Sequence, residues 1–451
     1  MCPRSVTRRS LFLLFWTAML LLSPMPAAAQ TPAVERRVLN NGLVMVVAPR
    51  PGLPIVRGVA LVGAGSLLED SGQAGIAALT ARLLLRGTAT RSAEQISQAI
   101  ESVGGSLEAT AERDGVVVGL SVLTRDLRLG LTLLADSLQN PTFPEAEVER
   151  ERRNLLASLA QRAEEPGLQA QDLFATTLYG PAHPYGRPVA GTETGVRQVR
   201  QEDIVGFHRR WYGPNRVILV LAGDISLATA EPMVRELFGN WVPVVSPSWH
   251  SPSVGAISRG MIRTLDRKLA QTTVILGQGG IARNDPDYYA ATVLNAVLGG
   301  GGLTSRLSLN LREERGLVYS VGSSLSAGRL AGPFQVVLQT KNESAADAVQ
   351  QAVQEIRRLR TEPVPAEELR RAKAFLTGNL SLQLDTTAKL AAFLARAEAY
   401  GVGLDLAARY PGLIAAVTPE DILRIAQRLL DPERLVIAVV GDVAAGRLTL
   451  P

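Results

Sequence analysis

Few side chains in this sequence are suited to metal or nucleophilic chemistry. The 451 residues include three histidines, His183, His208 and His250, and a single cysteine, Cys2. Two metal ligands on one helical face need a spacing of three or four residues, and no pair of these histidines has it. His250 falls in a predicted linker, and the other two fall in different elements. We therefore expect structural roles for all three histidines and no metal bound by this chain.

A second group of interest is a pair of hydrogen-bond donors, Arg312 and Tyr319. Arg312 is predicted at a helix end, and Tyr319 lies seven residues later on the strand that follows. A guanidinium and a phenol both donate hydrogen bonds, and donors aimed at a developing oxyanion contribute on the order of 3 kcal/mol each to catalysis. The spacing alone favours a surface arginine and a packed strand tyrosine, so a functional role depends on the surrounding motif.

The first 29 residues have the pattern of a cleavable export signal. Arg4, Arg8 and Arg9 form a basic segment, an apolar run covers residues 11–22, and residues 27–29 are alanines. The run of about a dozen apolar residues is shorter than the ~20 that a membrane-spanning helix needs, so an uncleaved anchor is the less favoured alternative. We expect a periplasmic or secreted protein, exported by the general secretory route or, given a loose motif at residues 7–12, by the twin-arginine route.

The charge of the chain gives no indication of a nucleic-acid ligand. The formal net charge is +5, and residues 1–29 contain three arginines and no acidic residue, so signal cleavage would leave +2. The remaining arginines are spread among acidic residues, which is typical of an evenly mixed surface. We expect no nucleic-acid partner and no membrane association after cleavage. Since Cys2 lies in the signal, we also expect no disulfide.

The chain contains an internal duplication. Residues 203–225 align without gaps on residues 421–443, and both read as an amphipathic helix, a turn with proline and an apolar strand ending in Gly-Asp. Three prolines and five serines in residues 243–258 indicate a linker. We predict an N-terminal domain over residues 30–242 and a C-terminal domain over residues 259–451.

Each half is predicted to be α+β, with helices flanking a mostly antiparallel sheet. The predicted helices of the first half lie near residues 73–86, 92–103, 126–138, 145–163, 167–178 and 202–211. The predicted strands of the chain lie near residues 37–49, 56–63, 115–123, 216–222, 261–266, 272–277, 317–325, 333–340 and 435–440.

Residues 75–88, GIAALTARLLLRGT, resemble the zinc helix of the pitrilysin–insulinase peptidases, G-I-A-H-x-x-E-H-L-L-F-x-G-T. The flanks match, but Ala78 stands at the first histidine ligand, Ala81 at the glutamate base and Arg82 at the second histidine. The third ligand, a glutamate on a later helix, corresponds to Ser158, or to Ala157 after a one-residue shift. None of these side chains ligates zinc usefully, so the resemblance implies a family member without its metal site.

Three further segments resemble the same family in the same order: residues 62–70, 183–191 and 295–320. The resemblance covers essentially all of the chain after the signal and implies two duplicated domains. It also implies that Arg312 and Tyr319, within the intact motif LREERGLVYSVG, contact the carbonyl group of a peptide substrate at a zinc site.

The glycine run Gly299, Gly300, Gly301 and Gly302 follows an apolar helix. It is not a phosphate loop, because no Gly-Lys-Ser/Thr follows. One interpretation is a helix C-cap and turn, in which glycine readily takes a positive φ. The other is a mobile loop that guides peptide, by analogy with the non-catalytic subunit of the mitochondrial processing peptidases. The two interpretations are compatible.

Two functions are consistent with these features. The first is a non-catalytic subunit of a heteromeric periplasmic zinc peptidase, similar to the alpha-like subunits of processing peptidases. A zinc-bearing homologue would then be the partner and hold the zinc, and peptides would add to a sheet edge at residues 56–63 or 272–277. The second is a scaffold of the same fold without a role in proteolysis, like the core subunits of the respiratory bc1 complex. The altered zinc positions disfavour a self-sufficient peptidase.

Overall fold

A computed structural model describes residues 34–245 and 257–446. The predicted signal at residues 1–29 lies outside the described residues, as does most of the predicted linker, including His250. The described chain contains two β-sheets flanked by helices, which confirms the predicted α+β class. None of its described helices combines the length and the apolar character that crossing a bilayer requires.

The first sheet has six strands in the order β1-β2-β6-β3-β5-β4. Only the β2–β6 pair is parallel, and the other neighbours are antiparallel. The strands are β1 (Glu35–Val38), β2 (Val44–Pro49), β3 (Ile55–Val62), β4 (Ser106–Ala111), β5 (Val116–Leu123) and β6 (Val217–Gly223).

Helices cover this sheet and connect its strands. They are α1 (Ile76–Leu83), α2 (Ala93–Glu101), α3 (Leu127–Gln139), α4 (Glu145–Arg162), α5 (Pro166–Tyr179), α6 (Glu193–Gln198), α7 (Gln201–Trp211) and α8 (Leu227–Phe238). The sequence pattern did not indicate α6, α8 or β4. The single strand predicted at residues 37–49 is a hairpin, β1–β2, whose turn contains Gly42 at φ +87°.

The second sheet has five strands in the order β7-β11-β8-β10-β9, again with one parallel pair, β7–β11. The strands are β7 (Met261–Asp266), β8 (Gln271–Gly279), β9 (Val318–Leu325), β10 (Pro333–Lys341) and β11 (Val436–Gly441). The helices are α9 (Tyr288–Asn295), α10 (Ala345–Thr361), α11 (Ala366–Gln383), α12 (Thr387–Ala399), α13 (Leu406–Ala415), α14 (Pro419–Leu429) and α15 (Val443–Gly446).

The repeated segments adopt the same succession of elements. Helix α7, a 3-10 turn at Pro214–Arg216 and strand β6 correspond to α14, a 3-10 turn at Pro432–Arg434 and β11. The apolar strands β6 and β11 are buried and lie inside their sheets, each with a parallel neighbour on one side. The alignment of the two sequence segments therefore reflects a repeated structural unit.

The two halves exchange one helix each. Helix α12 of the second half packs on the first sheet, where its Leu390 and Leu394 join a cluster with Val46 and Val220. Helix α5 of the first half packs on the second sheet, where Phe174 joins a cluster that includes residues of β8 and β11. Each sheet also packs on its own half's helices through a larger apolar core on its other face. The exchanged helices tie the two halves together.

The predicted sheet edges are wrong. All of residues 56–63 except Gly63 fall in β3, which pairs with both β5 and β6, and residues 272–277 fall in β8, which pairs with both β10 and β11. The edge strands are β1 and β4 in the first sheet and β7 and β9 in the second. The error arises because β6 and β11 return from far along the chain and insert beside strands that the local sequence leaves unpaired.

Candidate functional site

The start of α1 is held by contacts with two other segments that resemble the family, residues 62–70 and 183–191. Gly75 precedes the helix at φ +110°, and a Cβ there would lie 2.6 Å from Val196 Cγ2. The Glu69 carboxylate accepts a hydrogen bond from the backbone N–H of Ala77 (2.9 Å), and Arg187 donates to the Glu69 carbonyl (3.2 Å). These contacts fix the direction in which α1 presents its side chains.

Burial raises the pKa of Glu69 to about 7, although the backbone hydrogen bonds and the Arg187 charge act in the opposite direction. This carboxyl group supports the start of the helix and does not line the cleft described next.

The positions that correspond to the zinc helix face a cleft of ≈ 730 Å³ between α1, α2, α4 and β4. Ala78, Ala81 and Arg82 all line it, and all six residues of β4 border it. The two alanines are buried, whereas the Arg82 side chain is 39% exposed. The structure therefore brings together three of the four positions singled out in the sequence.

A buried carboxylate, Glu151 on α4, lies in the same cleft and was not identified from the sequence. Its side chain is 3% exposed and forms ion pairs with two arginines. Arg86 Nε lies 3.0 Å from Glu151 Oε1, and Arg82 Nη1 lies 3.8 Å from Oε2. The guanidinium at the second histidine position thus contributes positive charge beside this carboxylate.

The residues present do not fit a zinc ion. Ala78 and Ala81 have no donor atom, Arg82 is cationic, and Glu151 is already paired with two guanidinium groups. In residues 34–245 and 257–446 there is no group of three or more His, Cys, Asp or Glu side chains that could hold a metal.

Ser158, at the third ligand position, lies apart from the other three. It is exposed on α4 and does not line the cleft, although Glu151 and Leu155 of the same helix do. Ala157, the alternative after a one-residue shift, is exposed as well.

The two described histidines are packed side chains in different elements. His183 is buried, accepts a hydrogen bond from the Tyr185 N–H through Nδ1 (3.0 Å) and stacks on Tyr179. His208 is buried with Nε2 3.0 Å from the Leu138 carbonyl, and burial lowers its pKa to about 4. These contacts fit the structural roles expected for both residues.

Arg312 and Tyr319 lie in the second half, on neighbouring elements, and neither lines the cleft beside α1. Arg312 is in a π-helical turn, Ser308–Glu314, and its side chain is 47% exposed. The one ion pair of Arg312 within the described chain is a long contact to Glu313, at 3.9 Å. Its guanidinium is therefore accessible from solvent.

Tyr319 is the extra residue of a β-bulge. In the β9–β10 ladder, Val318 pairs with Thr340 and Ser320 with Gln339, so Tyr319 has no partner across the strands. A bulge turns a side chain away from the regular alternation, and Tyr319 is 49% exposed beside the buried Val318. The packed tyrosine that the spacing alone favoured is therefore not what the structure shows.

The glycine run begins within a second π-helical turn, Ala296–Gly300, packed against β9. A Cβ on Gly299 would lie 2.5 Å from Ser323 N, and one on Gly301 would lie 2.4 Å from Ala296 O. Gly302 has open space around it, with φ +70°, and precedes the exposed Leu303. Most of the run is thus needed for close packing, while its last glycine forms a turn at the surface.

Two features of the site, the carboxylate of Glu151 and the pair of arginines around it, were missed in the sequence although residue spacing indicated them. Glu151 precedes Ser158 by seven residues, two helical turns, so the helical period predicts it on the side of α4 that carries the third ligand position, although Glu151 lines the cleft and Ser158 does not. Arg82 lies in the last turn of α1 and Arg86 lies three residues beyond its end, and both guanidinium groups reach Glu151. Strand β4 has weak strand-forming residues, SLEATA, and it is held by its ladder with β5.

Family profiles and similar proteins identify the same peptidase family that the sequence motifs resemble. Two family profiles match in succession, "Insulinase (Peptidase family M16)" over residues 53–193 and "Peptidase M16 inactive domain" over residues 198–376. An uncharacterized zinc protease of Mycobacterium leprae is 34% identical, over 94% of this chain and 95% of that protein. One from Bacillus subtilis is 27% identical, over 78% of this chain and 85% of that protein.

Two solved structures have the same fold as this chain. The crystal structure of a peptidase M16 inactive domain from Pseudomonas fluorescens has a TM-score of 0.84 at 26% identity, covering 91% of this chain and 98% of that chain. A protease from Helicobacter pylori also has a TM-score of 0.84, at 20% identity, over 91% of this chain and 99% of that chain, and shows the fold alone. With two family profiles in tandem and a 34% identical relative matched over nearly its full length, this chain belongs to the M16, or pitrilysin–insulinase, peptidase family.

Proposed function

We propose that this chain is the non-catalytic, substrate-binding subunit of a heteromeric periplasmic zinc peptidase. A homologue with an intact zinc motif would be its partner and would hold the zinc. This chain would supply Arg312 and Tyr319 to the partner's site. The observation that carries the proposal is the contrast between a zinc helix without ligands and two hydrogen-bond donors that are exposed in a preserved motif.

The exposure of the pair is the first support. A guanidinium and a phenol that acted only in stability would be expected to have partners within the protein. Arg312 has the long contact to Glu313, and the bulge in β9 places Tyr319 at the surface. Both groups are therefore free to donate hydrogen bonds to a peptide carbonyl oxygen as negative charge develops on it.

The second support is the edge strand β4 beside the cleft. An extended peptide adds to an exposed sheet edge through backbone hydrogen bonds, which give affinity with little dependence on sequence. Strand β4 pairs with β5 on one side, and its residues border the ≈ 730 Å³ cleft on the other. A volume of this size lies within the range of roughly 300–1,000 Å³ that is common for ligand sites.

The proposal is tested by mixing this chain with its zinc-bearing partner and measuring cleavage of a fluorogenic peptide. This chain should be inactive alone and should raise the activity of the partner. Arg312→Ala and Tyr319→Phe should each lower turnover by the mixture by roughly ten- to a thousandfold, the range for loss of a transition-state donor. Size-exclusion chromatography should show that both variants still assemble, since neither the Arg312 nor the Tyr319 side chain belongs to an apolar core.

Arg315→Ala is a matched control, because Arg315 is also exposed and lies three residues from Arg312. It donates to Asn310 and should leave turnover unchanged. If the complex assembles and both Arg312→Ala and Tyr319→Phe cleave at the normal rate, the shared-site idea fails and the scaffold alternative is favoured. Failure of this chain to assemble with any zinc-bearing homologue would have the same meaning.

A further inference from the structure

We propose that Arg82 is a receptor for a peptide carboxylate. An extended peptide added to the free edge of β4 would place a carboxylate group, from its C-terminus or from an acidic side chain, against the Arg82 guanidinium. The inference rests on the proposed function for one premise, that the ligand of this cleft is a peptide. It assigns a binding role to a position that in the family motif belongs to a metal ligand.

The charge balance around Glu151 is the first argument. Two guanidinium groups face one buried carboxylate, and Arg86 is the nearer, at 3.0 Å compared with 3.8 Å for Arg82. The longer distance exceeds that of a hydrogen bond. Within the described chain Arg82 has this single ion pair, and its side chain is 39% exposed in the cleft. Its planar set of N–H donors is therefore available to a second carboxylate.

The shape around Arg82 is the second argument. Ala78 and Ala81 have the short side chains of α1 that border the same cleft, so no bulky group of that helix blocks the approach to the guanidinium. An arginine binds a carboxylate through two parallel hydrogen bonds, a geometry that a lysine cannot reproduce. A bidentate contact is thus accessible to an incoming ligand.

The edge of β4 is the third argument, because it is the least protected of the four sheet edges. Natural edges are usually guarded by charges, bulges or irregularity. Strand β1 has three charged residues out of four, β7 has two of six, and β9 contains the bulge at Tyr319. Strand β4 has one charged residue, Glu108, and an unbroken ladder with β5 from Ser106 to Ala111. It presents a regular template for an added strand.

The other charges of the cleft restrict the ligand. Glu101 and Glu108 are exposed and also line it. A strongly acidic peptide would be repelled by these two carboxylates, so one carboxylate placed at Arg82 with an otherwise uncharged chain fits best. A single C-terminal group on a neutral peptide meets this requirement, and so does a single internal glutamate.

The test measures binding of fluorescein-labelled ten-residue peptides to the isolated chain by fluorescence anisotropy. The peptides share an uncharged Val/Thr/Ala/Ser sequence and end in a free acid or an amide. A third has one internal glutamate and an amidated end. We expect the acid to bind at least about tenfold more tightly than the neutral amide, as for loss of a charge-assisted hydrogen bond. Binding of the third peptide shows whether a side-chain carboxylate serves as well as the terminal one.

Variants assign the effect to Arg82. Arg82→Gln should abolish the preference for a carboxylate, and Arg82→Lys should retain part of it. Arg153→Gln is the matched control, because Arg153 is exposed on α4 outside the cleft. Thermal unfolding verifies that the variants are folded, and the comparison of acid with amide on the unaltered protein stands if Arg82→Gln does not fold. A free acid with backbone N-methylation should bind more weakly, because it cannot complete the ladder with β4.

Equal binding of acid and amide, no binding of any peptide up to roughly 1 mM, or a preference that survives in Arg82→Gln would overturn the inference. Equal binding of acid and amide, or a preference that survives in Arg82→Gln, leaves the proposed function standing, because that function is read out by turnover of the mixed complex and depends on Arg312 and Tyr319. No binding of any peptide would also remove the support that β4 gives to the proposed function, and the turnover assay would then decide it separately. Loss of the Arg312 and Tyr319 effect, in turn, would leave peptide binding at β4 unchanged.

Discussion

Replacing Arg86 or Arg82 by alanine tests which guanidinium stabilises the buried carboxylate of Glu151. The Arg86–Glu151 contact is 3.0 Å and the Arg82–Glu151 contact is 3.8 Å. Since 3% of the Glu151 side chain is exposed, water solvates this carboxylate poorly when its nearer partner is removed. Arg86→Ala should therefore destabilise the fold, and Arg82→Ala should do so much less.

The magnitude follows from the distances and the exposure. Two unit charges 3.0 Å apart attract each other by about 5.5 kcal/mol at an effective dielectric constant near 20. Arg86 is 41% exposed, so solvent screens part of this attraction, and Arg82 can move closer to Glu151 in the variant. We expect Arg86→Ala to lower the free energy of unfolding by about 2 kcal/mol and Arg82→Ala by less than about 1 kcal/mol.

Urea unfolding at pH 7, followed by circular dichroism, measures both variants, and an unchanged slope m shows that the same surface unfolds. The double variant Arg86→Ala/Glu151→Leu removes the carboxylate together with its partner. It should recover most of the lost stability, because buried Leu155 and two alanines border the same space. An equal loss in both single arginine variants would refute the assignment of Arg86 as the main partner, and so would a double variant that is no more stable than Arg86→Ala.

Two further predictions concern metal binding and pH. Elemental analysis of the dialysed chain should find no stoichiometric zinc. Ala78→His alone should not change this result, because one nitrogen cannot hold the ion beside cationic Arg82. About one tightly held zinc per chain would contradict the prediction. The pKa of Glu69 is raised in the folded state, so this state binds the carboxyl proton more tightly than the unfolded state does. The stability that this proton contributes is therefore lost as the pH rises from about 4.5 to about 7. Glu69→Gln should remove this pH dependence, and at pH 8 its free energy of unfolding should exceed that of the unaltered protein by up to about 3 kcal/mol. Urea unfolding between pH 4.5 and pH 8 measures both proteins. An identical pH profile in the two would exclude Glu69 as the titrating group.

The sequence was sufficient to predict the elements that carry strong periodicity. The duplicated helix–turn–strand units at residues 203–225 and 421–443 fold alike, because an amphipathic helix and an apolar strand are encoded locally. The altered zinc helix was also recognisable, since its flanking residues determine how α1 begins and packs. Three of the four altered positions face one cleft as a result.

What could not be predicted depends on contacts between distant segments. Strands β3 and β8 become central only because β6 and β11 pair with them from far along the chain. The short strand β4 is defined by its neighbour β5, and the orientation of Tyr319 depends on a bulge that is formed with β10. The role of Glu151 emerges only when α4 lies against α1, because its two arginine partners belong to that other segment.

The exchange of α5 and α12 between the halves determines how the polypeptide can be divided. A cut between residues 245 and 257 would leave residues 34–245 without α12, and Val46 and Val220 of the first sheet would lose the leucines that cover them. The other fragment would lose α5 and Phe174 from its sheet. Each fragment produced alone should therefore be prone to aggregation, whereas the two produced together can restore both covers without a peptide bond between them. The protein is thus built as an intramolecular pair with swapped helices, and we expect its two fragments to complement each other.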